Sequence, residues 1–415
     1  MSLTGKVPNM GCRICGNEGL KKFLSLGKTP LANSFLPEED LSKKENAFPL
    51  ELCFCPECRL VQLTEVVPPE MMFKNYVYVS STTKTFQVHF AKMAEDISKE
   101  FGLGDSSLAV DIGSNDGILL KGFQKMGVKV IGVEPATNIA KMAEENGVET
   151  INDFFNESSA NEIIKRKGNA DIITATNVFA HVGNINDFTK NIKSLLKKDG
   201  IFVIEIQYFV DTLEKMTFDN VYHEHVSYFT LTSLKNFFER NGMQVFNAQR
   251  VDSHGGSLRV FAKIKEGKHD IDESVHSILN YEKELGIDYF ETYEKFAYLV
   301  NKSKADLIKF VKDIKSKGKI IAAYGAPAKG NTLLNFCGIG KESIEYIVED
   351  NPLKQGTFAP GTHIPVVSPK MLDDKKPDFI MILAWNFAEE ILKKTKKYAD
   401  MGIKFIIPLP EPRIV

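Results

Sequence analysis

The chain has 415 residues, 43% of them hydrophobic and 26% charged, with a formal net charge of −2. This length favours two or three domains over one core, and the balanced charge provides no basic field for nucleic acid or an anionic membrane. Because the longest apolar runs have the length of strands and the N-terminus does not resemble a signal peptide, we expect a cytoplasmic globular protein without nucleic-acid or membrane partners, for which a monomer is the simplest state.

The N-terminal region, residues 1–75, contains clustered cysteines. Five of the six cysteines lie between positions 12 and 58, and four of them form two C-x-x-C pairs, Cys12 with Cys15 and Cys55 with Cys58. Two such pairs complete a tetrahedral shell of four thiolates with no open position for water, which predicts a structural zinc site. Cys53 could compete with Cys55 as a ligand. Buried free thiols or a redox pair are the alternatives, and Cys337 is predicted to be a core residue.

The central region, residues 76–265, alternates helical and strand patterns after an amphipathic stretch at 82–101. Four buried strand patterns are found at 108–112, 129–133, 171–175 and 200–206. This alternation is typical of βαβ units and predicts a parallel, doubly wound α/β sheet. Two further apolar runs, at 244–251 and 257–264, predict an antiparallel hairpin that closes the sheet.

The C-terminal region, residues 266–415, opens with a long helical pattern at about 270–317. A second strand alternation then runs through 319–323, 345–348, 379–383 and 404–407. We predict a second, smaller Rossmann-like α/β domain here.

A glycine turn follows the first strand of the central region, with the sequence Gly113-Ser-Asn-Asp-Gly117. Gly113 allows the backbone to approach a ligand, and Gly117 relieves the start of the next helix. This is not the dinucleotide G-x-G-x-x-G motif, and the carboxylates of Asp111 and Asp116 would repel a phosphate. They suit instead a cofactor with a cationic sulfonium and an amino group.

Polar groups also follow the next two strands of this region. Glu134 suits the two hydroxyls of a ribose, and the segment 152–154 offers polar groups and an aromatic face for adenine. The ordered series from 110 to 154 resembles the class I methyltransferase pattern and predicts S-adenosylmethionine (SAM) as cofactor, although a plain Rossmann turn remains the alternative for any one element. The predicted cofactor residues in this series are Asp111, Gly113, Asn115, Asp116, Glu134, Asn152, Asp153 and Phe154.

The motif Tyr222-His-Glu-His225 lies just beyond the fourth strand, where a doubly wound sheet borders its cofactor crevice. Its side chains are polar groups that need partners. An imidazole near its ordinary pKa is a suitable base for a proton next to a ketone, and a carboxylate can fix its tautomer. A metal-binding H-x-H pair or a capping turn is the alternative.

The motif Tyr324-Gly-Ala-Pro-Ala-Lys-Gly-Asn331 follows a strand pattern and opens a helix. Free N–H groups at the helix start, together with Lys329, predict a diphosphate site. Read alone, the motif could also hold a nicotinamide dinucleotide, with Glu349-Asp350 facing a ribose, or be a structural turn.

Taken together, these features resemble the family of sugar C-methyltransferases that act on nucleotide-linked 4-keto-6-deoxy sugars. The resemblance covers nearly the whole chain. Besides the two C-x-x-C pairs and the glycine turn, it is carried by the segments 29–33, 76–78, 177–181, 222–225, 253–259 and 324–331. It implies an N-terminal zinc-binding domain, a central class I SAM methyltransferase domain and a C-terminal Rossmann-like domain that binds a sugar nucleotide.

The resemblance also implies the roles of individual residues. It implies His225 as the base, helped by Tyr76, His181, Tyr222 and Glu224, and it adds Asn177 to the SAM contacts. The implied substrate contacts are Asn33, Tyr78, His223, Ser257, Arg259, Tyr324, Lys329 and Asn331.

The expected reaction is methylation of C3 of a nucleotide-linked keto sugar, with thymidine diphosphate as the expected nucleotide, through an enolate formed by a base. Methylation on oxygen or nitrogen is the near alternative. An NAD-dependent sugar-nucleotide oxidoreductase is a further one, against which the missing G-x-G-x-x-G motif counts. The last is a non-catalytic zinc scaffold, which the clustered Tyr-His-Glu-His motif disfavours.

Overall fold

The computed structural model describes residues 11–68, 70–73, 81, 84–253 and 255–415. The predicted site residues Tyr76 and Tyr78 therefore lie outside the described residues. Within the described part, one β-sheet lies in each of the three regions, and no helix there is long and apolar enough to span a bilayer.

The strands are numbered in chain order. They are β1 (Lys21–Thr29), β2 (Phe48–Phe54), β3 (Val61–Leu63), β4 (Leu108–Ile112), β5 (Lys129–Val133), β6 (Thr150–Ile151), β7 (Ala170–Thr176), β8 (Leu196–Gln207), β9 (Ser227–Tyr228), β10 (Met243–Val251), β11 (Ser257–Ile264), β12 (Ile321–Tyr324), β13 (Ile347–Val348), β14 (Val366–Val367), β15 (Phe379–Ile382), β16 (Lys404–Ile407) and β17 (Arg413–Ile414).

The helices are numbered in the same way. They are α1 (Glu70–Phe73), α2 (Lys84–Phe101), α3 (Ile118–Lys125), α4 (Thr137–Glu145), α5 (Glu157–Lys167), α6 (Ile185–Leu195), α7 (Phe209–Lys215), α8 (Leu231–Arg240), α9 (Glu273–Glu284), α10 (Phe290–Lys315), α11 (Ala328–Cys337), α12 (Met371–Asp374), α13 (Ala388–Lys394) and α14 (Lys396–Asp400).

The central sheet has seven strands in the order β10-β11-β8-β7-β4-β5-β6. Strands β4 to β8 are parallel, and the β10–β11 hairpin joins β8 in antiparallel fashion. Strand β4 is buried along its whole length because helices cover both faces of a parallel sheet. The predicted class I methyltransferase fold, with its closing hairpin, is confirmed.

The N-terminal sheet extends into the central region. Its order is β1-β2-β3-β9, and β9 begins two residues after His225. Val61 and Gln62 of β3 pair with Tyr228 and Ser227, respectively. The zinc-binding region therefore continues by backbone hydrogen bonds into the segment that follows the Tyr-His-Glu-His motif.

The C-terminal sheet has the order β14-β13-β12-β15-β16-β17 and is parallel except for β17. The long helical pattern predicted before it is two helices, α9 and α10, because the chain turns at Gly286, whose φ of +75° suits glycine. Helix α10 packs against both β1 and α11, so a shared apolar core joins the N-terminal and C-terminal regions. Cys337 is buried in that core, as predicted.

Candidate functional site

The four predicted zinc ligands converge. The Sγ atoms of Cys12, Cys15, Cys55 and Cys58 all lie within 4.8 Å of one another. Sulfurs at about 2.3 Å from a tetrahedral zinc ion are about 3.8 Å apart, so the four thiols fit this metal. Cys53 is not a member of the group: it is buried and its thiol donates to the Gln62 carbonyl at 3.4 Å. The C-x-x-C partnership therefore decides the ligand set.

Arg13, inside the first zinc knuckle, fastens the knuckle to the central region. Its Nε donates to Ser227 Oγ at 3.1 Å, and its guanidinium also donates to the carbonyls of Val182 and Gly183. These carbonyls follow directly after His181, and Ser227 lies two residues after His225. The metal-binding knuckle therefore holds the two segments that carry the predicted catalytic histidines.

The glycine turn at the end of β4 is shaped by close packing. Gly113 has φ +65°, and a Cβ there would lie 2.4 Å from Val178 Cγ2. The absence of that Cβ lets the 177–181 segment approach the turn. Asn115 and Asn177, both predicted cofactor residues, have φ of +49° and +56° at the ends of β4 and β7. Non-glycine residues are uncommon in this left-handed conformation, which asparagine tolerates best, and such positions concentrate at binding sites.

Glu134 lies at the end of β5 with its carboxylate already oriented. It accepts hydrogen bonds from the N–H groups of Asn115, at 3.0 Å, and Ala136, at 2.9 Å. Burial raises the pKa of Glu134, and these two bonds oppose the rise. Beside it, Asn152 Nδ2 donates to the Glu134 carbonyl at 2.9 Å, while the aromatic side chain of Phe154 is 41% exposed. This arrangement suits a ribose and an adenine.

Two further carboxylates have different environments. Asp111 is buried and accepts from Thr174 Oγ1 at 2.6 Å, and burial raises its pKa to about 7. Its contact with the cofactor stays a prediction, because its described partner belongs to the sheet. Asp116 Oδ1 and Ser114 Oγ are buried, and neither has a hydrogen-bond partner among the described residues. Buried polar atoms of this kind are costly unless a ligand satisfies them, so the turn fits a polar cofactor.

The first testable consequence concerns Glu134. We expect Glu134→Ala to weaken SAM binding by roughly 1–3 kcal/mol, because it removes the carboxylate predicted to accept from the two ribose hydroxyls. The exposed Glu144→Ala on α4 is the matched loss of charge and should leave the affinity unchanged. Isothermal calorimetry measures both. Equal SAM affinity in wild type and Glu134→Ala would remove this carboxylate from the cofactor site.

Tyr222 and His225 form a hydrogen-bonded pair. The Tyr222 hydroxyl lies 3.0 Å from His225 Nε2, and His225 Nδ1 lies 2.9 Å from the Asn220 carbonyl. A carbonyl only accepts, so Nδ1 carries the proton and Nε2 accepts from Tyr222 in the neutral ring. The sequence led us to expect that a carboxylate fixes the tautomer of the base. In the structure, the Asn220 backbone carbonyl fixes it, through Nδ1.

His181 joins the same cluster from a 3₁₀ turn after β7. Its ring centroid lies 4.9 Å from that of His225, with the planes at 67°. Burial lowers the pKa of His181 to about 4, so the ring is neutral at physiological pH. A neutral imidazole beside the His225 base can donate a hydrogen bond without adding a positive charge that would lower the basicity of His225.

Two consecutive N-terminal residues bridge the other two regions. Asn33 Nδ2 donates to Glu224 Oε1 at 2.6 Å, and Asn331 Nδ2, in the first turn of α11, donates to the Ala32 carbonyl at 2.8 Å. The predicted catalytic motif and the predicted diphosphate motif therefore meet at Ala32-Asn33.

Other predicted substrate residues have internal partners. His223 is 1% exposed, and its Nε2 lies within 3.3 Å of the carbonyls of Phe48 and Pro49. Ser257 is buried and donates to the Ser253 carbonyl at 3.1 Å. Arg259 is likewise buried, and its guanidinium donates to the Glu205 carboxylate. In this arrangement the three side chains support the site from within, and their contact with substrate stays a prediction.

Glu205, at the carboxyl end of β8, is a residue that sequence reasoning missed. It receives hydrogen bonds from His89 of α2 at 2.7 Å, Ser253 at 3.0 Å and Arg259 at 2.7 Å. Burial alone would raise its pKa, but the His89 bond and the Arg259 charge lower it to about 2. One feature of the sequence could have identified it: Glu205 is an acidic residue near the end of the otherwise apolar strand pattern 200–206. The network ties α2 and Ser253 to the sheet.

The 324–331 motif was predicted to be a diphosphate site with free N–H groups. In the structure, several of its polar groups already have partners within the protein. The Tyr324 hydroxyl donates to Asp350 at 3.0 Å, and Glu349 accepts from the Ala326 N–H at 2.7 Å, so this carboxylate caps the turn. Lys329 is 9% exposed, donates to Asn386 Oδ1 and lies 5.1 Å from the Trp385 ring.

Comparison with known proteins gives results for all three regions. Three family models match the chain: a zinc binding domain at residues 12–73, a methyltransferase domain at 87–247 and a C-methyltransferase C-terminal domain at 252–410. The chain is 38% identical over 404 residues to the C-methyltransferase NovU of Streptomyces niveus. The aligned residues are 97% of this chain and 96% of NovU.

Weaker similarities extend over parts of the chain. A ubiquinone biosynthesis O-methyltransferase of Rhodopseudomonas palustris (strain HaA2) is 32% identical over 96 residues, which are 23% of this chain and 38% of that protein. The solved structure of magnesium protoporphyrin IX methyltransferase from Synechocystis PCC 6803 with bound SAH covers 42% of this chain and 82% of its own, at 11% identity and a TM-score of 0.35.

Proposed function

The chain belongs to the C-methyltransferase family of NovU, and from this premise we propose that it methylates C3 of a nucleotide-linked 4-keto-6-deoxy sugar. Membership makes it a SAM-dependent methyltransferase, and the zinc-binding domain match accounts for the four-cysteine cluster. The predicted SAM-dependent methyltransferase activity and both predicted cofactors, SAM and zinc, are thereby confirmed. The oxidoreductase and scaffold alternatives are set aside for the same reason.

One observation carries the proposed substrate. The Ala32-Asn33 segment hydrogen-bonds on one side to Glu224, beside the His225 base, and on the other to Asn331 of the diphosphate motif. A small methyl acceptor needs a base and a crevice. A sugar nucleotide needs in addition a phosphate site at one sugar length from that base. The Ala32-Asn33 segment contacts both the motif that carries the proposed base and the motif proposed to bind phosphate, which supports a sugar nucleotide as substrate.

The described tautomer supports the choice of base. The lone pair of His225 Nε2 is available once Tyr222 releases it, because Nδ1 keeps its proton on the Asn220 carbonyl. The C3 proton then moves to Nε2, and the C–H electron pair becomes the enolate whose negative charge lies on the C4 oxygen. The freed Tyr222 hydroxyl and the neutral His181 are the neighbouring groups that can donate to that oxygen.

The cofactor residues have one task in this reaction. When bound, SAM would supply an electrophilic methyl group for C3, with its sulfur as a neutral thioether leaving group. Glu134 and the segment 152–154 fix the adenosine end, and the close packing of Gly113 on Val178 holds this pocket next to the His181 turn. Positioning two reactants in one complex supplies much of the rate.

A panel of acceptors tests the proposal. Nucleotide-linked 4-keto-6-deoxy sugars incubated with enzyme and SAM should gain the mass of one CH2 unit, and NMR should place the new methyl on C3. The matching 4-hydroxy sugars are the control and should not react, because without the ketone the C3 proton is not acidic. A methyl group found on oxygen would overturn the proposed carbon chemistry.

A further inference from the structure

Lys354 lies where all three regions meet, in the segment after β13. Its Nζ donates to the Ala326 carbonyl in the diphosphate motif at 2.8 Å and lies 4.9 Å from the ring centroid of Phe35 in the N-terminal region. Glu224 of the central region is near enough to influence its charge. None of the sequence motifs includes this lysine.

The Lys354 ammonium has no fixed counter-ion. Over the described residues, no carboxylate oxygen lies within ion-pair distance of it, and its described hydrogen bond goes to a neutral carbonyl. Burial lowers its pKa, while Glu349 and Glu224 act against that shift from farther away. Both carboxylates have other partners: Glu349 accepts from the N–H groups of Ala326 and Asn351, and Glu224 accepts from Asn33.

Lys329 is a second cation that, among the described residues, has no carboxylate within ion-pair distance. Its side chain is buried, and it donates to an amide oxygen, Asn386 Oδ1. Asp219 is the carboxylate that influences its charge, but that carboxylate accepts from Trp385 Nε1 at 2.7 Å. Lys329 follows the turn 324–328 directly in α11, and Lys354 donates to the Ala326 carbonyl within that turn. Lys329 is buried and Lys354 is partly buried, and among the described residues neither ammonium has a carboxylate within ion-pair distance. An anion with two negative groups would offset the cost of withdrawing them from water.

We propose that Lys354 is a binding residue for the diphosphate of the substrate and acts with Lys329 across this turn. The assignment to a nucleotide-linked substrate rests on the proposed function; the anion site itself rests on the two lysines. A diphosphate held between them occupies the C-terminal side of the junction. From there, the Ala32-Asn33 bridge leads to Glu224 and the base, so the sugar is directed towards the histidines.

Binding of four ligands tests this role, measured by calorimetry on the zinc-loaded full chain. We expect Lys354→Met to lower the affinity for thymidine diphosphate and for inorganic diphosphate by about tenfold to a hundredfold, as for loss of a charge-assisted bond. Thymidine, which lacks phosphate, and SAM should bind as in wild type. Lys354→Arg should retain most diphosphate affinity, and the exposed Lys341→Met is the matched loss of charge and should change nothing.

The outcomes separate the two proposals. If Lys354→Met weakened thymidine and thymidine diphosphate equally, the lysine would only support the turn, and the inference would be overturned. Unchanged affinity for both diphosphates would overturn it as well. If wild type bound inorganic diphosphate through Lys354 but not thymidine diphosphate, the anion site would stand and the thymidine-linked substrate would fall.

Discussion

Replacement of His225 by alanine should lower the methylation rate by roughly 10²–10⁴, the usual contribution of a positioned general base. The side chain is partly exposed, and its two described hydrogen bonds are local, to Tyr222 and to the Asn220 carbonyl. Fold, zinc content and SAM affinity should therefore be retained. The decisive measurements are kcat with a keto sugar and the dissociation constant of SAM.

Proton exchange isolates the step assigned to His225. With a 4-keto sugar and no SAM, wild type should exchange the C3 proton for deuterium from solvent, because deprotonation needs no methyl donor. His225→Ala should lose the exchange, whereas Glu134→Ala should keep it, because Glu134 belongs to the cofactor pocket. NMR follows both reactions directly.

His223 is the control within the same motif. It is buried against Phe48, with ring centroids 5.9 Å apart, so His223→Ala should lower the melting temperature rather than the rate of exchange. If His223→Ala abolished exchange while His225→Ala preserved it, the roles within the motif would be reversed. If both variants kept full turnover, the base would be another group, with His181 or Tyr222 next, and methylation on oxygen would become the better reading.

Loss of one zinc ligand should have the second large effect. Cys12→Ser removes one of four converging thiolates, and a structural zinc site of this kind contributes on the order of 10 kcal/mol to folding of its domain. The N-terminal region should unfold. Turnover should fall with it, because Arg13 then no longer holds the carbonyls after His181 and β9 loses its partner β3. SAM affinity should change less, since β4 and β5 carry that pocket.

Elemental analysis of the zinc content and limited proteolysis of the N-terminal sheet test this prediction. Wild type should contain about one zinc per chain, and Cys12→Ser should lose it and become susceptible to cleavage within the N-terminal sheet. Cys53→Ala is the matched control: its thiol lies outside the cluster, so the zinc should remain. Freshly purified wild type without zinc would contradict the metal assignment, and loss of zinc from Cys53→Ala would contradict the ligand set.

The sequence by itself determined those features that depend on local spacing and periodicity. The two C-x-x-C pairs predicted the ligands because two residues between cysteines suffice for a knuckle. The apolar runs predicted the strands of the central sheet and its closing hairpin because buried parallel strands are continuous in hydrophobicity. The glycine turn followed by Glu134 predicted the cofactor for a similar reason: both sit at strand ends, and the carboxyl ends of parallel strands meet at one edge.

The tertiary structure alone decided which polar groups partner one another across the regions. The sequence separation between Asn33 and Glu224 is 191 residues, and between Arg13 and Val182 it is 169, so no periodicity could connect them. The buried pairing of Arg259 with Glu205 and the bond from Lys354 to the Ala326 carbonyl are likewise non-local. A side chain's type limits what it can donate or accept, but burial and the distance to partners far along the chain decide whether it supports the fold or remains available to a ligand.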